Sequence, residues 1–275
     1  MTLPLLVSLV GLTACCLVIS INFLTFTRTN RLTIKKRIDL VLIFARCILD
    51  IFVGIAVIIY ITVIVLKTLD PNKVTSATTY FVVFSSLPTV FLWPTRLVLS
   101  ICIAVWRIIS LILPKVAESL NFKLVCSSVI SISVLFGLAD VFALLLACPL
   151  QFTAHIGCMS LGCMAGPCFV TYSTYNRTVL FSITFASAFV YAVLICFCET
   201  KESREKRIVD TDYWFLLSMF ISCLFDCIPF AVAILGLKTD FGYNNFGPFI
   251  KTLNVAGACF DAVVVSKIFE THQFF

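Results

Sequence analysis

The sequence predicts an all-α membrane protein, a bundle of seven transmembrane helices with its N-terminus outside and its C-terminus inside. Three observations predict it. Of the 275 residues, 61% are hydrophobic and only 12% are charged, whereas soluble domains run near 45–50% apolar and about 25% charged. The mean hydropathy is +1.09. The apolar residues fall into seven continuous runs, without the two-residue alternation of a membrane barrel strand, so helices are the spanning form that fits. This composition excludes a soluble enzyme, a nucleic-acid-binding module and a disulfide-rich secreted mini-protein. The net charge of +6 is therefore a matter of membrane placement, not of DNA binding.

The runs cover Leu3–Phe26, Leu40–Leu66, Thr79–Val105, Leu124–Ala147, Thr178–Cys198, Tyr213–Leu237 and Phe249–Phe269. Each is long enough to cross roughly 30 Å of hydrocarbon with some tilt. The second and third are divided by the polar stretch Lys67–Thr78, where Asp70-Pro71-Asn72 signals a turn. The whole chain reads as one seven-span domain. The first run lacks a basic start and ends in basic residues, so it reads as a span and not as a cleaved signal.

Lysine and arginine set the orientation. One side carries Arg28, Arg31, Lys35, Lys36, Arg37, Arg107, Lys115, Lys123, Lys201, Arg204, Lys206, Arg207 and Lys267. The other carries Lys67, Lys73, Arg177, Lys238 and Lys251. The richer side is cytoplasmic, which puts the N-terminus outside.

Charges within the spans come next. Arg46 and Asp50 fall in the second, Arg96 in the third, Asp140 in the fourth, Asp226 in the sixth and Asp261 in the seventh. A charge at the bilayer centre costs about 2.5–3.5 kcal/mol on insertion scales, so these groups should face inward and pair. Arg46 and Asp50 share a helix face, being four apart. A structural Arg/Asp network weighs more than an ion or proton relay, because no histidine lies in a span.

Several spacings resemble those of G-protein-coupled receptors. Asn22 and Asp50 stand 28 residues apart, as do the Asn and Asp of the first two spans in rhodopsin-like receptors. Arg107, at the end of the third span, is followed seven residues later by Pro114. Pro229 resembles the kinking proline of the sixth span, and Asp261 falls near the place of the Asn/Asp-Pro-x-x-Tyr motif. Trp106, Ala262 and Val265 depart from these patterns, and no cysteine lies between Thr68 and Ile101. The departures suit the divergent nematode serpentine chemoreceptors. The stretch from Arg37 to Asp50 (RIDLVLIFARCILD) resembles the start of the second span in serpentine receptor class BC, Srbc.

That resemblance implies a chemosensory receptor in the plasma membrane of sensory neurons, with a small-molecule ligand, a heterotrimeric G protein and the lipid bilayer as partners, no nucleic acid and no cofactor. It nominates Arg107, Lys115, Lys201, Arg204, Lys206 and Arg207 for coupling. Ser85, Thr89, Trp93, Asp140 and Asp226 are candidate ligand contacts in the outer half, each of which is also read as a packing residue. Asn22, Arg46, Asp50, Arg96 and Asp261 form the expected buried polar network. Within it the resemblance sets the Arg96 guanidinium opposite Asp50, where these receptors hold sodium, and implies that a fixed cation replaces the ion.

Cys148, Cys158, Cys163 and Cys168 crowd the second outer loop and suit disulfides, with three pairings open. A zinc site with His155 matches no familiar spacing, so no metal is expected. Asn176-Arg177-Thr178 is a glycosylation sequon beside the fifth span. The rival class is a small-solute or ion transporter or channel, for which inverted repeats and broken helices would speak; the odd number of spans and the absence of a visible repeat count against it. An enzyme is not expected, since no nucleophile motif or histidine cluster is present.

Overall fold

In a computed structural model of the chain, residues 3–29, 37–69, 76–148, 166–199, 206–231 and 243–273 are described. Seven helices dominate: α1 (Leu3–Arg28), α2 (Ile38–Leu69), α3 (Ser76–Ile112), α4 (Phe122–Phe142), α5 (Gly166–Glu199), α6 (Lys206–Ser222) and α7 (Tyr243–Gln273). Seven helices of the described chain are long and apolar enough to cross a membrane. The protein is a multi-pass membrane protein.

Their lipid-type surface is explicit in the side chains that point away from the bundle. Phe23, Phe81, Phe84, Phe185, Phe189, Phe197 and Phe220 are all more than half exposed. In water such a surface would be a liability; in hydrocarbon it is the solvated face.

The helices close into a ring. α1 packs on α2 and α7, α2 on α3, α5 on α6, and α6 on α7, while α3 also meets α4 and α5. Close approach of α3 and α4 depends on Gly137. A Cβ there would lie 2.5 Å from the Phe91 carbonyl oxygen and collide with the Thr95 hydroxyl. Small residues let membrane helices touch backbone to backbone, and a backbone oxygen cannot swing aside for a methyl group.

Local chemistry sets the helix ends. Asn121 caps α4, its Oδ1 accepting from the Lys123 and Leu124 amides at 3.0 and 3.4 Å. Pro114 opens a short helix, Pro114–Ser119, between α3 and α4, at a position where its missing N–H costs nothing. α4 continues through one widened turn, Ala143–Ala147, closed by the Cys148 amide donating to the Ala143 carbonyl at 2.9 Å. α6 has a similar widened turn, Cys223–Cys227, followed by Pro229. That proline cannot donate to the Phe225 carbonyl four residues back. The Asn254 amide of α7, in the orientation that satisfies both its atoms, donates to Phe225 O at 2.9 Å and Ile250 O at 3.1 Å. A side chain of the neighbouring helix thus replaces the lost backbone bond.

Several helices differ from their expected limits, α5 the most. α5 begins at Gly166, twelve residues before the apolar run. The stretch Thr171-Tyr-Ser-Thr-Tyr-Asn-Arg177 looks like a loop by polarity, but several of its polar groups turn toward α4. The sequon Asn176 therefore lies within the helix. α3 also runs on to Ile112, beyond the expected Val105. The longer α5 brings Arg177, which the charge count placed in a loop, into a spanning segment, and Lys251, counted with the loops, lies two residues inside the seventh span, whose start at Phe249 is unchanged.

Candidate functional site

The polar interior is organised in layers along α2, α3, α6 and α7. The central layer is a cluster of two guanidinium groups and three carboxylates. Arg96 Nε donates to Asp50 Oδ1 at 2.5 Å. Its Nη1 and Nη2 lie 3.4 Å from Asp226 Oδ2 and from Asp261 Oδ2. Arg46 pairs with Asp261 and reaches the Ser218 and Ser222 hydroxyls at 3.5 and 3.4 Å, while Ser218 donates to Asp261. Every side chain in the cluster is buried. Arg46 thus answers Asp261 across the bundle, although Asp50 stands one turn away on its own helix. Asn22 is buried too, but its amide donates to the Val18 carbonyl of its own helix at 3.0 Å.

A second layer stands at the end of the bundle where α3 finishes. Arg107 Nη2 lies 2.8 Å from Asp39 Oδ2 on α2, and its Nη1 lies 3.2 Å from Asp212 Oδ1 on α6. Tyr191 of α5 donates to the same Asp212 oxygen at 2.8 Å, and the Phe215 ring lies under the guanidinium at 5.2 Å. Asp39 also holds Arg37 at 2.7 Å. The sequence shows Trp106 where rhodopsin-like receptors carry the acid beside this arginine. The structure supplies acids from other helices, and Trp106 instead packs into the apolar core with Leu40, Ile103 and Phe269. A cavity of about 550 Å³ opens beside this layer, lined in part by Arg37, Asp39, Trp106, Arg107 and Pro114.

At the opposite end, Cys148 and Cys168 form a disulfide between the end of α4 and the first turn of α5; Cys158 and Cys163 lie outside the described residues. Asp140 of α4 accepts from Tyr172 at 3.0 Å and from Asn176 at 2.8 Å, both on α5. Trp93 is buried between two cations, with Arg96 Cζ 5.4 Å from its ring centroid and Lys251 Nζ 5.7 Å from it. Thr89 is buried and donates to the Ser86 carbonyl at 2.7 Å, and half-buried Ser85 donates to Val82 O at 3.0 Å. Asp226 belongs to the central cluster and not to the neighbourhood of Asp140.

Of the basic residues nominated for coupling, Lys115 is exposed on the short helix. Lys206 and Arg207 start α6, their side chains outside the described ones, and Lys201 and Arg204 lie outside the described residues altogether. Sequence reasoning did not find Asp39, Asp212 or Asn254. Helical arithmetic holds a signal for two of them. Asp39 precedes Asp50 by 11 residues and Asp212 precedes Asp226 by 14, close to three and four whole turns, so each pair shares a face.

Seven apolar helices around a layered arginine–carboxylate interior make a seven-span membrane bundle. Residues 1–273 match the family of the serpentine type 7TM GPCR chemoreceptor Srbc, and the chain belongs to that family. It is a chemosensory receptor of the G-protein-coupled type. No curated protein matches the chain.

Proposed function

We propose that the receptor binds a small molecule in the half of the bundle nearer the disulfide and activates a heterotrimeric G protein at the Arg107 end. The reading rests on one observation: α6 contributes to both polar layers. Asp212 meets Arg107, Ser218 and Ser222 meet Arg46, and Asp226 meets Arg96. A ligand that disturbs the central layer therefore acts on the same helix that closes the layer at Arg107. The widened turn and Pro229 give α6 a place to bend.

The disulfide end faces outside in this reading, since such bonds persist in oxidising compartments. The N-terminus then lies outside and the basic segments 107–123 and 199–212 face the cytoplasm, in accord with the distribution of lysine and arginine. Arg107 is the central coupling residue, with Lys115, Lys201, Arg204, Lys206 and Arg207 forming a basic rim for the G protein. Ser85, Thr89, Trp93 and Asp140 lie toward the ligand side, and Asp226 links that side to the central cluster. The family assignment fits a place in the plasma membrane of sensory neurons.

The test is nucleotide exchange on an added heterotrimeric G protein. Arg107→Ala should abolish it while surface receptor and ligand-induced stabilisation stay near normal; undiminished exchange overturns the assignment. Epitope tags at the two termini of intact cells check the orientation, and a shielded N-terminal tag would reject it.

A further inference from the structure

Three buried arginines of this bundle each meet a carboxylate: Arg46, Arg96 and Arg107. Lys251 of α7 does not meet one among the described residues. It sits on the inward stripe of its helix, four residues before buried Val255, seven before buried Ala258 and ten before Asp261. Its ammonium rests against the Trp93 ring at 5.7 Å. The charge that bears on it is Arg177 of α5, which has the same sign. Arg177 in turn lies 6.0 Å from the Phe230 ring. Its charge acts on Asp140, a carboxylate already engaged by Tyr172 and Asn176.

Two cations in spanning segments of different helices thus act on one another, and among the described residues Asp140 is the carboxylate that Arg177 acts on. A basic side chain within a span faces the bundle interior and pairs with something. The side chains beside these two cations are apolar. Trp93 packs with Val83 and Val255, and Phe230 packs with Leu97, Leu180 and Phe181. A concave apolar site with a few placed polar groups takes a small ligand and fixes its orientation through those groups.

We infer that Lys251, flanked by Arg177 and Trp93, anchors the anionic group of the ligand, and that the ligand class is a small monocarboxylate with an apolar body. The inference rests on the receptor reading above and names the ligand class of its site. One negative charge balances the surplus cation, whereas a dianion would carry an uncompensated charge into apolar surroundings. The ring also has a second neighbour. Because Arg96 lies 5.4 Å from the Trp93 centroid, a carboxylate that draws the Lys251 ammonium off the ring frees the ring to shift against Arg96. The ligand contact and the central cluster are then one residue apart.

The experiment is thermal unfolding of the purified full-length receptor in neutral-lipid nanodiscs. Butyrate, octanoate, dodecanoate and phenylpropionate are titrated, each beside its methyl ester. The acids should raise the unfolding temperature saturably and the esters should not. Lys251→Met should weaken the acid's apparent affinity by about tenfold to a hundredfold, the weight of one charge-assisted hydrogen bond, and Lys251→Arg should restore most of it. Esters that bind as well as acids, acids that fail to bind, or an unchanged affinity in Lys251→Met overturn the inference. The acid–ester contrast in the unmutated receptor holds even if Lys251→Met does not fold. Arg107-dependent basal nucleotide exchange, measured on the same preparation, separates the two readings. If exchange persists while the acids fail, the ligand class alone is wrong; if exchange is absent, the receptor reading itself falls.

Discussion

Two polar clusters of this receptor are built from the same parts on the same three helices. The central one joins Asp50 of α2, Arg96 of α3 and Asp226 of α6; the terminal one joins Asp39, Arg107 and Asp212 of those helices. Member by member, they are displaced by 11, 11 and 14 residues, on the order of 16–21 Å along the axis. Their surroundings separate them. The central cluster gains a second guanidinium from Arg46 and a third acid from Asp261, and all five side chains are at most 5% exposed. The terminal cluster borders a cavity, and its outermost partner, Arg37, is 43% exposed. Arg107, Asp39 and Asp212 are themselves no more than 8% exposed, so both clusters hold helices together, and the second differs in the opening beside it. Breaking a buried pair strands a charge with no water to receive it, whereas an acid lost beside a cavity can be replaced by solvent.

The comparison is broken most severely by removing one partner of the central cluster. Asp50→Asn or Arg96→Gln should each cost about 3–5 kcal/mol, read as lost folded receptor at the cell surface and a lower unfolding temperature. The double substitution should recover part of the loss. Additive losses in the double-mutant cycle would show that the two residues act independently.

A smaller effect of a different kind belongs to the terminal cluster. Asp212→Asn should cost about 1.5–3 kcal/mol, the range of a hydrogen bond to a charged group, and should raise basal nucleotide exchange because α6 loses its hold on Arg107. Unaltered basal exchange would mean that this layer is purely structural.

The smallest effect is expected at Asp226. Three acids face two guanidinium groups in the central cluster, and Asp226 meets Arg96 at 3.4 Å, against 2.5 Å for Asp50. Asp226→Asn removes the surplus charge, leaves each guanidinium an acid and keeps an oxygen for Arg96, so stability should change by no more than about 1 kcal/mol, the scale of one net hydrogen bond. With Arg96 fixed against Asp50, replacing potassium by sodium should leave the unfolding temperature of the unmutated receptor unchanged. Stabilisation by sodium that Asp226→Asn abolishes would instead assign the surplus acid to an ion.

Much of the molecule was legible in the order of its residues. Hydropathy alone marks seven spans, since only a continuous apolar run can cover a helix on all lipid-facing sides. The presence of Arg46, Asp50, Arg96, Asp226 and Asp261 within those runs requires an inward polar cluster, because a lone charge in hydrocarbon is too costly to leave unpaired. Other features were hidden for identifiable reasons. The first turns of α5 look like a loop, for their polar groups are answered by Asp140 on another helix. Asn254 carries no motif, and its role exists because Pro229 on α6 frees the carbonyl it caps.

What the sequence by itself determined is the class of fold, its family and the need for buried pairs. Those follow from composition, spacing and the energetics of charge in a membrane, none of which depends on how the helices are turned. Partnership was decided by tertiary structure. Arg46 had Asp50 one turn away and took Asp261, Arg107 drew its acids from α2 and α6 in place of a sequence neighbour, and Lys251 was left beside Arg177. Each outcome depends on the rotation and depth of one helix against another. That is set by packing over the whole interface, such as the contact of Gly137 with the Phe91 backbone, and no spacing within a single helix encodes it.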